Sequence, residues 1–166
     1  MTTEDLRSQA PLWAWLAGSL VIVSAVSALG GALTQTSIEE WYPTLVKPPE
    51  TPDPGVFPAV WSILYAMMGV SAFLMLRDAG SVPAARPALW AYGAQLALNV
   101  AWSALFFGLR APFAAAFEIV ILLAAIGATG VLFWRRSRTA ALLLLPYGLW
   151  VAFAAWLTWR IALLNN

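Results

Sequence analysis

The chain has 166 residues, of which 61% are hydrophobic and 10% are charged, and its formal net charge is +1. Soluble domains carry roughly 45–50% apolar and about 25% charged residues, so this composition excludes a soluble globule and predicts an integral membrane protein. The absence of a basic patch excludes nucleic acid as a partner, and the absence of cysteine and histidine excludes disulfides, thiolate metal sites and the usual haem ligand.

Five apolar stretches predict five transmembrane helices in a single domain, 1–166. A hydrocarbon core of about 30 Å needs about 20 helical residues. A polar tail, 1–12, precedes the first span, and a long first loop, 34–56, follows it. The spans are placed at about 13–33, 57–76, 88–109, 112–134 and 139–164. The predicted fold class is therefore all-α, an integral membrane bundle of five transmembrane helices.

The first loop and the start of the second span are rich in proline. Five prolines fall within eleven residues, namely Pro48, Pro49, Pro52, Pro54 and Pro58. Proline fixes φ and biases its predecessor away from helix, so this segment is expected to be stiff and extended. Directly after it, Trp61, Tyr65 and Met68 share one helix face. Near the end of the first span, the pair Gly30-Gly31 indicates either a helix end or the close approach of a neighbouring helix.

One face of the third span is polar. Gln95, Asn99 and Trp102 follow one another at spacings of four and three. A carboxamide in hydrocarbon is costly without a partner, so this face is expected to look into the bundle or a cavity. There Asn99 could bond a neighbour or a ligand, and the alternative is that both amides only join helices.

The opposite face of the third span carries Gly93, Ala97 and Ala101 at spacings of four. Such small residues let helices approach closely. Because the polar face is expected to look inward, this small face predicts a homodimer through the third span. The alternative is that the small residues pack within one bundle.

Aromatic side chains from three spans could form one site. In the fifth span, Pro146 is expected to kink the helix, and Tyr147, Trp150 and Ala154 share a face just after it. Rings that stack on a flat apolar molecule, with N–H, phenol and amide groups at its edge, are suited to hold such a ligand. The alternative is ordinary packing. The rings in question are Trp61, Tyr65, Trp102, Tyr147 and Trp150.

Glu118 is the only acidic residue inside a span. An intramembrane acid is a functional candidate, but we favour the interpretation that it reaches back to the interface near Arg110. No Ser/His pair, paired carboxylates or phosphate-binding loop is present.

The positive charges predict the topology. Six arginines belong to the tail and to the second and fourth links, against three basic residues on the other side. This predicts a cytoplasmic N-terminus and an external first loop, in a bacterial cell membrane, inner or outer. The six are Arg7, Arg77, Arg86, Arg135, Arg136 and Arg138, and the three are Lys47, Arg110 and Arg160.

Three separate motifs resemble the TspO/MBR family of tryptophan-rich sensory or translocator proteins. The first is Trp41-Tyr42 followed by Lys47-Pro48, then Val56-Phe57-Pro58, Trp61 and Leu64-Tyr65. The second is Gln95-Leu96-Ala97-Leu98-Asn99 with Trp102 and Phe106-Phe107-Gly108. The third is Pro146-Tyr147 with Trp150 and Phe153. They occur in the same order as in the family and cover essentially the whole chain.

The resemblance implies a five-helix membrane bundle, commonly dimeric, that binds tetrapyrroles such as protoporphyrin IX and haem, sterols, and benzodiazepine-type ligands. No cofactor is required, and porphyrin or haem enters as ligand. Trp61, Asn99 and Trp150 match the family's pocket positions, and Trp41 and Tyr42 match the loop over the pocket. The predicted ligand-binding residues are Trp41, Tyr42, Trp61, Tyr65, Gln95, Asn99, Trp102, Tyr147, Trp150, Phe153 and Ala154.

The first loop departs from the family pattern. Glu50 stands where a tryptophan is usual, Asp53 replaces a proline and Gly55 replaces a frequent aromatic. The loop thereby loses stacking surface and gains two negative charges, which disfavours carboxylate-bearing porphyrins at the mouth. In the fifth span, Thr158 replaces an asparagine, and Trp159 replaces the tyrosine of a proposed sterol motif, which is weak evidence in any case.

The predicted function is binding of a flat hydrophobic ligand, a porphyrin above all, for sensing, transport or removal. Some bacterial members of the family resemble enzymes that degrade porphyrin with light and oxygen. In that alternative, Trp61 and Trp150 would be the catalytic residues. A third interpretation is a membrane adaptor whose altered loop has abolished ligand binding.

Overall fold

The computed structural model describes residues 11–166, and every regular element in this part of the chain is helical. The predicted polar tail, with Arg7, lies almost entirely outside the described residues. The α-helices are α1 Leu12–Ile38, α2 Val56–Ala79, α3 Val82–Ser103, α4 Pro112–Trp134, α5 Arg138–Leu143 and α6 Leu145–Leu164. A 3₁₀ turn at Tyr42–Thr44 follows α1, and a π-helical turn at Ala104–Gly108 follows α3.

Within the described residues, four segments have the length and apolar composition to cross a membrane. They are α1, α2, α4 and the continuous segment Arg138–Leu164 that comprises α5 and α6. The prediction of an all-helical membrane bundle is therefore confirmed. α3 is long enough at 22 residues, but Pro83, Pro87, Gln95 and Asn99 make it less apolar than the others.

α1 runs through both glycines and ends at Ile38 rather than at 33. Neither interpretation of the glycine pair holds, since α1 continues past it and added Cβ atoms would make only ordinary contacts or none. A Cβ added at Gly30 would lie 3.6 Å from Ser103 Oγ and 3.9 Å from Tyr65 Oη. The first loop of the folded chain is therefore residues 39–55, and that range is meant by this name below.

α3 begins at Val82, earlier than the predicted 88, because Ser81 caps its N-terminus by accepting a hydrogen bond from Ala84 N. Pro83 lies in the first helical turn, where its missing N–H costs little. The link between α3 and α4 is as tight as predicted. It turns at Arg110, whose φ of 52° is the left-handed conformation.

The predicted kink at Pro146 corresponds to an interruption of the helix at one residue, Leu144, whose φ of −84° and ψ of −13° are still right-handed helical. α5 ends at Leu143 and α6 begins at Leu145, so the fifth predicted span consists of two helices. Ser71 Oγ of α2 donates to Ala140 O at 2.7 Å, which ties α5 to the bundle. The interruption at Leu144 lies just before Tyr147 and Trp150.

The bundle buries its core between helices and leaves a large apolar outer surface. The most extensive helix pairs are α3 with α4, α1 with α2, and α4 with α6. Gly69 lies at the contact of the second pair, where an added Cβ would be 2.8 Å from Leu20 Cδ2 and 3.1 Å from Val23 Cγ2, so these side chains would have to shift. Outward-facing side chains such as Trp90 and Leu149 are more than 70% exposed, as expected of surfaces that face lipid.

Candidate functional site

A cavity of about 330 Å³ lies inside one half of the bundle, between α1, α2, α3 and α6 and beneath the first loop. We call it the central cavity. Ligand pockets usually measure about 300–1,000 Å³ and are mostly apolar with a few polar groups. Its size and composition are therefore those of a small-molecule site.

Aromatic rings form much of the cavity wall. Trp61 and Tyr65 of α2 lie with ring centroids 5.5 Å apart. Trp102 of α3 stacks on Phe106 of the π-helical turn at 5.3 Å. From α6, Trp150 meets Phe57 edge-on at 5.9 Å. Because each ring packs on another, the wall is held in place before any ligand binds.

A chain of hydrogen bonds joins three helices at the inner side of the cavity. Tyr65 Oη donates to Asn99 Oδ1 at 2.6 Å, and Asn99 Nδ2 donates to Tyr147 Oη at 3.2 Å. All three side chains are buried. The prediction that the polar face of the third span looks inward is confirmed, since Gln95 is also buried.

Two indole groups at the cavity wall are unsatisfied. Trp102 Nε1 and Trp150 Nε1 are both buried, and neither has a hydrogen-bond acceptor among residues 11–166. Both residues line the central cavity. Buried N–H groups normally have a partner, so these donors would gain one if a shift of the wall brought them into contact with acceptor atoms of a ligand.

The first loop covers the cavity and is held by its own contacts. Tyr42 is buried and lines the cavity, and this burial raises the pKa of its phenol. Lys47 Nζ donates to Tyr42 O at 2.8 Å and to Leu45 O at 2.9 Å, and lies 4.7 Å from the centroid of the Tyr42 ring. The lysine therefore closes this part of the loop into a compact turn.

The C-terminal end of the described chain is hydrogen-bonded to the same loop. Asn165 Oδ1 accepts from Val46 N and Asn165 Nδ2 donates to Val46 O, both at 2.9 Å. Asn165 Nδ2 also donates to Ile161 O at 2.8 Å. The sequence analysis did not single out Asn165, because nothing local indicates a contact across 119 positions.

Seven of the eleven predicted ligand-binding residues line the central cavity. These are Tyr42, Trp61, Tyr65, Asn99, Trp102, Trp150 and Ala154.

The other four predicted residues lie behind the wall. Trp41 packs on Phe106 with centroids 5.6 Å apart, and Phe153 packs on Trp150 at 5.7 Å. Tyr147 is fully buried, 6.2 Å from the ring of Trp61, and supports it from behind. Gln95 is 1% exposed, and neither of its amide atoms has a partner among the described residues.

The sequence analysis missed the wall that α1 contributes. Most residues of this wall are small or polar, so the grouping of aromatic side chains did not identify them. A pattern of small residues one helical turn apart was the available signal. The α1 residues are Ser27, Gly30, Gly31, Thr34, Gln35 and Ile38, and other missed lining residues include Ser103, Phe106, Phe107, Leu157 and Thr158.

The interpretation of Glu118 as an interfacial partner of Arg110 is wrong. Arg110 Nε instead donates to Ser37 Oγ at 3.2 Å, and its Nη2 lies 4.0 Å from Glu40 Oε2. Glu118 is buried, and its carboxylate oxygens have no partner within residues 11–166. The left-handed turn at Arg110 directs that side chain to α1, away from Glu118.

The two unusual acids of the first loop are exposed. Glu50 and Asp53 both face away from the core, while the next residue, Pro54, lines the cavity. Their charges therefore lie outside the cavity, close to its mouth. Within residues 11–166, no three acidic side chains come together as a metal site.

The chain is similar to known proteins over most of its length. Residues 19–164 match the model of the TspO/MBR family. The chain is 39% identical to the tryptophan-rich protein TspO of Chlorobaculum tepidum over 141 residues, covering 85% of this chain and 89% of that protein. It is 37% identical to the translocator protein of Ovis aries over 155 residues, covering 92% and 90%. It is 31% identical to the tryptophan-rich sensory protein of Cereibacter sphaeroides over 153 residues, covering 92% of each.

Proposed function

The chain belongs to the TspO/MBR family of membrane proteins, and we propose that its central cavity binds a flat apolar ligand of the tetrapyrrole class, protoporphyrin IX or haem. The names of its relatives refer to translocation and sensing. The proposed role is accordingly that of a receptor or transporter, which binds the tetrapyrrole for sensing, transport or removal and requires no cofactor.

The observation that carries this proposal is the pair of unpaired indole donors in an aromatic wall. Stacked rings suit the faces of a macrocycle, and Trp102 Nε1 and Trp150 Nε1 can donate to acceptors at its edge. The chain has no histidine or cysteine, so haem would be held by its ring and edge rather than by these usual iron ligands.

A macrocycle would fill the whole cavity and require the first loop to move outward. At about 330 Å³ the cavity is near the lower end of the usual range. The loop is anchored by the packing of Tyr42 on Phe106 and Phe107 and by the hydrogen bonds between Asn165 and Val46, so its outward movement would have to break these contacts. The exposed charges of Glu50 and Asp53 would then weaken binding of carboxylate-bearing porphyrins at the mouth.

Titration of the detergent-purified protein with protoporphyrin IX in the dark tests this proposal. We expect saturable quenching of tryptophan fluorescence. Trp150→Phe removes one donor and keeps a ring, so the dissociation constant should rise about 2- to 12-fold. Trp156→Phe is the matched control, because Trp156 is on the same helix and does not line the cavity.

Quenching that never saturates, or that is indifferent to Trp150→Phe, would contradict the porphyrin site. In that case the adaptor interpretation, in which the altered loop has abolished binding, becomes the better one.

A second candidate function is light- and oxygen-dependent degradation of porphyrin. It is favoured by one observation: Trp61 and Trp150, the two residues that the family resemblance assigns to this chemistry, line the same cavity. Illumination of the saturated complex in air should then yield a new absorbing product. The product should be absent under nitrogen and in Trp150→Phe, whereas a pure binding protein would return the porphyrin unchanged.

We propose that α3 is the fifth membrane span. Its less apolar residues Gln95 and Asn99 are buried inside the bundle, so their polarity is hidden from lipid. The charge asymmetry then supports a cytoplasmic N-terminus and an external first loop in a bacterial membrane. Among described residues, five arginines lie within the two links at one end or in the helix turns that flank them, namely Arg77, Arg86, Arg135, Arg136 and Arg138.

We further propose that the protein forms a homodimer through the small face of α3. Gly93 and Ala97 are exposed on the outside of the bundle, and Ala101 is half-buried. A Cβ added at Gly93 would meet nothing within 4 Å in one chain. A flat outer face of this kind permits the close approach of a second helix.

Ala97→Leu is expected to weaken this dimer. An inserted side chain in a tight contact costs about 1–3 kcal/mol, which raises the dimer dissociation constant about 5- to 150-fold. Sedimentation equilibrium in density-matched detergent measures it. Ala124→Leu, at an exposed position of α4, is the control. An unchanged dimer in Ala97→Leu would move the interface to another surface.

A further inference from the structure

An apolar groove of about 550 Å³ runs along the outside of the bundle, between α4 and the broken α5–α6 segment. We call it the outer groove. It shares no lining residue with the central cavity. On α4 it is lined by Leu123, Gly127, Gly130 and Trp134, whose spacings of four, three and four place them on one helix face.

Missing side chains create this groove. A Cβ added at Gly127 or at Gly130 would meet nothing within 4 Å. On the other side, Gly148 of α6 lines the groove, and a Cβ there would make an ordinary contact, 3.6 Å from Ile126 Cγ2. Between them, Leu144 and Leu145, at the junction of α5 and α6, also line the groove. The result is a channel in a surface that otherwise consists of large apolar side chains.

One end of the outer groove is strongly basic. Arg135 lines the groove itself, and Arg136 and Arg138 are exposed beside it. The Arg138 guanidinium lies 5.5 Å from the centroid of the Trp134 ring. None of these three arginines forms an ion pair with any residue in 11–166, where the ion pairs involve Arg77 and Arg110 instead. The end of the groove therefore carries uncompensated positive charge.

We propose that the outer groove binds an anionic phospholipid of the bilayer, with an acyl chain along its glycine floor and the phosphate at Arg135, Arg136 and Arg138. Tryptophans such as Trp134 commonly lie at the level of the lipid headgroups. Each arginine near an anionic headgroup strengthens binding about fivefold. A second copy of the chain fits poorly, since a two-fold contact would bring both sets of arginines together. This inference is independent of the ligand of the central cavity.

Native mass spectrometry of the detergent-solubilised protein tests the proposal. Phosphatidylglycerol and phosphatidylcholine with identical acyl chains are titrated in parallel. We expect phosphatidylglycerol to bind at least about fivefold more tightly. Arg135→Gln should reduce that preference about fivefold and leave phosphatidylcholine unchanged. Arg160→Gln is the control, because Arg160 is exposed near the other end of α6.

Gly130→Leu fills the groove and should weaken both lipids, while Gly18→Leu, at an open position of α1, should weaken neither. Gly127→Leu repeats the test if Gly130→Leu lowers thermal stability. Equal affinity for the two lipids, or a headgroup preference that survives Arg135→Gln, would overturn the proposal. Phosphatidylglycerol binding that survives both glycine variants would do the same. A dimer lost in Gly130→Leu would assign the groove to a second copy.

Discussion

Asn99→Leu is expected to lower the free energy of unfolding by about 1–3 kcal/mol. The substitution leaves Tyr65 Oη without its acceptor and Tyr147 Oη without a donor, and both phenols are buried in the bundle. Interhelical hydrogen bonds in membranes average about 0.6 kcal/mol. An unpaired buried group costs more than the loss of an average bond, so the total should exceed that figure. Reversible unfolding in mixed detergent micelles measures it.

Gln95→Leu is the matched comparison and should behave in the opposite way. Gln95 lies one turn earlier on the same face of α3 and is equally buried, but its amide atoms have no partner among the described residues. Removing an unpaired buried amide should leave stability unchanged or raise it. If the two variants destabilise the bundle equally, the three-residue hydrogen-bond chain is not the source of the Asn99 effect.

Gly30→Leu is expected to weaken ligand binding without unfolding the protein. Gly30 lines the central cavity, and a Cβ there makes only ordinary contacts with Ser103 and Tyr65. A leucine extends further and occupies space that the ligand needs. Overfilling a packed site costs about 1–3 kcal/mol, so the dissociation constant for protoporphyrin IX should rise about 5- to 150-fold. Gly30→Ala should show a smaller increase.

The control for Gly30→Leu is Gly18→Leu on the same helix, where the new side chain meets nothing within 4 Å. Thermal unfolding should show both variants folded, because leucine favours helix over glycine. Ligand affinity that is unchanged in Gly30→Leu would mean that porphyrin binds outside the central cavity.

A site residue was predictable where its side chain is energetically unfavourable in the membrane unless it faces the interior of the bundle. Asn99 is an example, because a carboxamide inside a span needs a partner and so must face inward. Trp61 and Trp150 were found through the family motifs. The α1 wall was not found, because glycine, serine and threonine are compatible with lipid, with packing or with a cavity.

Glu118 shows where a local argument fails. Its distance along the chain from Arg110 would allow Glu118 to reach back to the interface, but α4 is rotated so that the carboxylate is buried. Arg110 lies on a left-handed turn and contacts Ser37 and Glu40 instead. The rotation of a helix about its axis is set by packing against all its neighbours at once, so the spacing of two residues along the chain does not predict it.

The sequence by itself determined the membrane class, the helical fold, the approximate positions of the apolar segments and an irregularity near Pro146. These follow from composition, span length and the missing proline N–H, which act locally. Only the tertiary structure decided that Tyr147 supports the wall from behind, that Asn165 clamps Val46, and that missing side chains open a groove along α4. Each of these depends on the distance and rotation between helices, which arise from the simultaneous packing of residues far apart in the chain.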